Sequence, residues 1–231
     1  MDKYEIAVTI ENAKQKIFEA PITKGIISGA FSLIPFYGAA VCTALSESAF
    51  QLYQKNAEAF AQELNERVNR INQDKIDRHF LNSDEFVAIT SELFVRMSKT
   101  HQKEKIILFA NFLINSALKE NNSIEYKEGF LRIIDDLSPT HLLIVSNIAN
   151  KCSTHNAEDK ENNRDFVELE DIATAFNLEI SRARAYCQQA MRYGILNDWG
   201  AGRYGSPKDK LEITEYGEEL LSFILEHIKE E

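Results

Sequence analysis

Residues 25–46, GIISGAFSLIPFYGAAVCTALS, carry no charge, although 27% of the 231-residue chain is Asp, Glu, Lys or Arg. A continuous apolar stretch of this size is not left in water by a soluble fold, so it must be covered. Its length would suffice to cross a bilayer, which takes roughly 20 apolar residues. Pro35 argues against one straight span, because an interior proline removes a hydrogen bond and clashes with the preceding turn. The spacing therefore predicts two short helices, over 22–33 and 37–50, with a kink or turn between them. Small residues (Gly25, Ser28, Gly29 and Ser32 before the proline; Gly38, Ala40, Ala44 and Ser48 after it) allow close helix approach. Gly25 and Gly29 stand at the GxxxG spacing used for packing in lipid. The candidate membrane or oligomer segment is thus Gly25, Gly29, Phe31, Leu33, Pro35, Phe36 and Gly38. Its cover is the chain's own bundle, copies of the chain, or lipid after a trigger.

The rest of the composition narrows the class. Four prolines and nine glycines argue for helices over a loop-rich or all-β chain. A net charge of -10 opposes broad, non-specific nucleic-acid binding, which depends on clustered Lys and Arg. The cysteines Cys42, Cys152 and Cys187 are odd in number and widely spaced, which suits reduced thiols better than disulfides or zinc. The charged start MDKYEIAVTIENAKQKIFEA lacks the form of a secretory signal. A cytoplasmic location is expected, with the inner membrane reached from that side.

Helical periodicity dominates the chain as far as Asn150. A mixed helix is predicted over 3–19. The second half of the apolar hairpin should continue to Ile71, with Leu52, Phe60, Leu64, Val68 and Ile71 on one side. Asn82 followed by Glu85 reads as a capping box for a helix carrying Phe86, Ile89, Leu93 and Met97. His101–Lys119 should bury Ile106, Ile107, Phe109, Ala110, Phe112, Leu113 and Leu118. Tyr126–Asp136 is a further helix. Ser138–Pro139 opens another to about Asn150, since serine caps and proline suits the first turn. Residues 151–165, KCSTHNAEDKENNRD, read as a polar loop. The expected domains are a helical bundle over 1–137 and a second domain over 138–231.

After the loop the pattern changes. Leu169, Ile172, Ala173 and Phe176 line one short helix, and Ile180, Ala183, Cys187, Ala190 and Met191 line a second, ended by Gly194. The three-residue link Asn177–Glu179 gives the outline of a helix-turn-helix. Extended runs flank the glycine-rich GAGRYGSPKD, as in a β-hairpin. Thr214–Gly217 then opens a last amphipathic helix. This order resembles a winged helix, so the expected fold is mainly α, with a helical bundle followed by a winged-helix module. The second helix would present Ser181, Arg182, Arg184, Gln188, Gln189 and Arg192 to base edges and phosphates, and Arg203, Lys208 and Lys210 would sit in the wing. Against this, residues 138–231 hold ten Lys and Arg but 17 Asp and Glu, a net charge of -7. A solvated helix face is therefore the plainer explanation of these arginines, and a local patch would have to overcome the net charge.

Residues 103–150 contain FANFLINSAL, a spacer, and a helix pair built on GFLRIIDDLSPTHLLI. With the glycine-rich apolar segment before it and the winged-helix-like end after it, this centre resembles the abortive-infection alpha family of bacterial phage-defence proteins. The resemblance spans a little over half of the chain and rests mostly on packing positions. It implies a host-protective or toxic effector and not an enzyme. Together with the charge-free run, it makes the leading expectation a non-enzymatic defence-type effector acting through membrane association or oligomerisation of the apolar hairpin, with the winged helix as its binding or sensing module. A winged-helix DNA-binding transcriptional regulator is the alternative, and a structural partner subunit is a third. No GxxxxGK[ST], GxSxG or HExxH motif occurs, and no two of the five histidines stand at i, i+4. No catalytic residue, metal ligand, cofactor or small-molecule substrate is indicated. The expected partners are a second copy or another protein, a membrane surface, and double-stranded DNA.

Overall fold

The computed structural model describes residues 47–97, 99–121, 127–158, 166–198 and 209–225. The helix expected over 3–19, and the apolar hairpin up to residue 46, lie outside the described residues. The chain divides into two compact units, Met1–Leu131 and Arg132–Glu231.

In the first unit, α1 (Glu47–Val68) places Tyr53, Ala57, Phe60, Leu64 and Val68 in the core at helical spacing. It ends three residues short of Ile71, where Arg70 N–H closes a tighter i→i+3 turn onto Arg67 O. A short helix α2 (Arg78–Leu81), capped by the Asp77 side chain, precedes α3 (Asp84–Met97). The cap of α3 is Ser83, not Asn82: Phe86 N–H donates to Ser83 Oγ at 3.2 Å. Asn82 instead closes α2, its side-chain amide donating to Arg78 O. The two short helices share this junction, so the same polar run both ends one and starts the next.

Helix α4 (Lys103–Ser116) packs along α1 and buries Ile106, Phe109, Phe112 and Leu113. Leu118, just past its end, is buried too. Ile107, expected inside, is 36% exposed, because it falls on the flank of the apolar stripe. Phe60 and Phe94 meet edge to face at 5.9 Å and join α1 to α3. The buried Asn56 amide donates to Met97 O and Thr100 O, both at 2.9 Å, which satisfies the last carbonyl of α3 and one three residues beyond it. Burial of each such Phe or Leu is worth about 1.5–3 kcal/mol.

Helix α5 (Lys127–Asp136) contains the boundary between the units. The second unit begins its main helix, α6 (Pro139–Glu158), at the expected proline but carries it eight residues past the predicted end. Residues 151–158 are therefore helical and not loop. Nothing in them breaks a helix, and Cys152 extends the buried row of Leu142, Val145 and Ile148. Residues 159–165 lie outside the described residues.

Strand β1 (Val167–Glu168), which the sequence did not reveal, follows, then α7 (Leu169–Ala175), α8 (Ile180–Arg192), β2 (Leu196–Asp198), β3 (Lys210–Ile213) and α9 (Glu215–Ile224). The strands form an antiparallel sheet in the order β1–β3–β2, with Val167 opposite Leu211 and Leu196 opposite Ile213. Helix α6 contacts the sheet, α8 and α9, so it is the spine of this unit. Among the described residues no helix is long and apolar enough to cross a membrane.

Candidate nucleic-acid interface

Two left-handed residues shape the region around α8. Asn177, at φ 50°, ends α7: its N–H donates to Thr174 O, and Leu178 N–H donates to Ala173 O at 2.8 Å. Gly194, at φ 74°, ends α8 in the same way, with Ile195 N–H reaching back to Ala190 O. Both are Schellman closures, which turn the chain sharply while satisfying the last carbonyls. The first sets α8 directly after α7. The second sends the chain straight into β2.

Ala183, Cys187 and Ala190 are buried and fix which side of α8 faces the unit. Ser181, Arg182, Arg184, Gln188 and Arg192 are all exposed. Five of the seven predicted recognition residues thus share the solvent side of one helix, while Arg203 and Lys208 lie outside the described residues. So does the whole candidate membrane or oligomer segment, Gly25, Gly29, Phe31, Leu33, Pro35, Phe36 and Gly38.

Gln189 departs from the expectation. It is half-buried, and its Oε1 is 2.9 Å from His141 Nε2. On the far side of that ring, Ser138 N–H donates to His141 Nδ1 at 3.1 Å, with Ser138 Oγ at 2.7 Å. An acceptor is required at Nδ1, so the hydrogen sits on Nε2 and is donated to Gln189. His141 occupies the third position of α6 and plays the part that Glu or Gln takes in a capping box. The Tyr186 ring meets it edge-on at 4.5 Å. The histidine therefore ties the start of α6 to the inner flank of α8. Tyr193, at the end of α8, donates its hydroxyl to Asp136 Oδ2 at 2.7 Å, which holds the phenol above its ordinary pKa.

Arg184 is also engaged. Its Nε and Nη2 donate to Asp209 Oδ1 and Oδ2 at 3.2 and 2.7 Å, and this partner raises the guanidinium pKa further. Lys210, expected in the wing, lies with Nζ 3.9 Å from the Phe166 ring centre. Exposed acids stand close in sequence: Glu168, Glu170 and Asp171 at the start of α7, and Glu179 before α8. Burial, and secondarily the charge of Asp209, push the Cys187 thiol up to about 11, so it is no nucleophile at neutral pH. Among the described residues no group of three or more His, Cys, Asp or Glu could hold a metal ion.

The partner of Arg184 and the inward turn of Gln189 were not anticipated. A helical wheel carries no clear signal for the second, since Gln189 falls beside the exposed Arg182 and on the outer side of Tyr186, away from the buried Ala190. No sequence signal pairs Arg184 with the distant Asp209, which lies beyond β2. Comparison with protein-family models, curated proteins and solved structures finds no match.

Proposed function

We propose that the second unit is a winged-helix module that binds double-stranded DNA through α8. The observation that carries this is the exposed row Ser181, Arg182, Gln188 and Arg192 on the second helix of a helix–turn–helix pair. Support for the winged-helix reading comes from the order α6–β1–α7–α8–β2–β3 and the sheet order β1–β3–β2. Arginine and glutamine suit guanine and adenine edges, and serine and arginine suit phosphates. The acidic start of α7 would repel a phosphate backbone, which confines close approach to α8 and the β2–β3 side.

Titration of labelled duplexes at several salt concentrations tests this reading. Arg182→Ala with Arg192→Ala should weaken binding and reduce the slope of log K against log[salt] by about 1.8, the share of two phosphate contacts. Failure of the unaltered chain to shift any duplex at low salt would refute it.

The charge-free run 25–46 favours a second, compatible function for the other end of the chain. There it supports a defence-type effector in which this segment drives membrane association or self-assembly, with the winged helix as sensor. Membrane fractionation and leakage from anionic liposomes, read beside the sedimentation of the full chain, test it. A chain that stays monomeric and leaves liposomes intact would rule out this effector role.

A further inference from the structure

Arg184 stands midway along the exposed side of α8, one turn from both Ser181 and Gln188. It thus stands among the residues proposed to meet the duplex. One edge of its guanidinium is already taken: Nε and Nη2 donate in parallel to the two oxygens of Asp209 at 3.2 and 2.7 Å. This bidentate geometry is shared by arginine–carboxylate and arginine–phosphate pairs, so the carboxylate occupies the edge that a phosphate would take.

Backbone constraints hold Asp209 in place. Its φ is 70°, a left-handed conformation that residues other than glycine, asparagine and aspartate seldom adopt. Its carbonyl accepts the N–H of Leu169, the first residue of α7, at 3.0 Å. The next residue, Lys210, begins β3. The ion pair itself is open to water, with side chains 44% and 39% exposed. Ion pairs so exposed contribute little net stability, so exchange of the carboxylate for another anion costs little.

We propose that Asp209 is a built-in occupant of a phosphate site centred on Arg184, and that a duplex phosphate displaces it when DNA docks on α8. This rests on the duplex-binding reading above. Asp209 then sets the affinity of the unit: while it holds Arg184, one phosphate contact is withheld and a negative charge stands in the docking face.

The test is a double-mutant cycle on the full chain, with random-sequence 20-bp duplexes and fluorescence anisotropy over a range of salt. Asparagine tolerates the left-handed backbone and keeps the carbonyl bond to Leu169, so Asp209→Asn is the informative change. Asp209→Gly, which accepts the same left-handed backbone, replaces it should the asparagine variant not fold. Relief of Arg184 should tighten binding several-fold and steepen the salt slope by about 0.9, one added phosphate. In the Arg184→Ala background the same change should leave the slope unchanged, with only the smaller gain in affinity that loss of one nearby negative charge gives. Glu212→Gln, the same loss of charge within β3, should leave the slope unchanged. The proposal is overturned if Asp209→Asn leaves the slope unchanged, or steepens it equally without Arg184, while the unaltered chain binds duplex. Absence of duplex binding by every variant at the lowest salt would overturn the duplex reading and this proposal with it.

Discussion

Two glycines in the second unit show how differently one residue type can be required. Gly194 needs its left-handed φ of 74°, yet a Cβ there would meet nothing within 4 Å. Gly194→Ala should therefore cost the backbone term alone, about 1–2 kcal/mol. Gly217 has no such φ, but a Cβ on it would overlap the carbonyl oxygen of Ile195. That oxygen belongs to the backbone entering β2 and accepts from Thr214 N–H, so it cannot move aside cheaply. Gly217→Ala should thus be the more damaging, by at least about 1–3 kcal/mol, and thermal melts of the two variants rank them. Cys187 adds a pH dependence. Its proton is held more tightly in the folded state, with a pKa of about 11 against an ordinary value of 9.0, because burial disfavours the thiolate. The stability this represents is present below pH 9 and is lost as pH rises through 11. Tyr193 and Tyr216 are raised as well and act in the same direction at higher pH. Cys187→Ala should flatten the decline of melting temperature between pH 9 and 11, and an equal decline in that variant would assign the effect to the tyrosines. The glycine closing α8 was legible from its place after an apolar stripe; the one inside α9 was legible as a glycine but not as a close approach.

Elements were most legible where one face is buried along its whole length. Phe60, Leu64 and Val68, or Phe86, Ile89, Leu93 and Met97, repeat as a helix requires and are buried as expected. Ends were less legible, because caps are settled by competition between neighbours. Ser83 outcompetes Asn82 as a cap, since Asn82 is already committed to ending α2. Helix α6 shows a cap that reaches beyond its own element. His141 accepts from Ser138 N–H and donates to Gln189 of α8, so a local device at the helix start also anchors another helix. His141→Ala leaves the Ser138 N–H and Gln189 Oε1 without this partner and removes the ring packed on Tyr186. A loss of about 1–3 kcal/mol is expected, read by chemical denaturation. Ser138→Ala, which removes only the Oγ contact with His141 Nδ1 and keeps the Ser138 N–H bond to the ring, should cost about 1 kcal/mol. Equal losses for the two variants would show that His141 acts only as a cap. Strand β1 was not legible, since two residues are too few to display alternation and gain their pairing only from β3.

At the scale of the molecule, the proposed duplex binding would have to overcome a net charge of -10. Among the described residues, a small number of arginines on α8 would supply most of the electrostatic gain, so the proposed binding should be weak at high salt and sensitive to single charges. Asp209 matters in this setting because it removes one of those few arginines from the count. The sequence by itself determined the helical class, the helix-turn-helix outline with the two strands after it, and the choice of α8 as the candidate face. Periodic burial and turn chemistry are local, and a reader of residues three and four apart can find them. Tertiary structure alone decided which members of that face are available. Arg182 and Arg192 lie exposed on it, Gln189 is drawn inward by a histidine 48 positions away, and Arg184 is held by a carboxylate 25 positions away. Such pairings depend on where distant backbone segments come to rest, and no spacing along the chain encodes them.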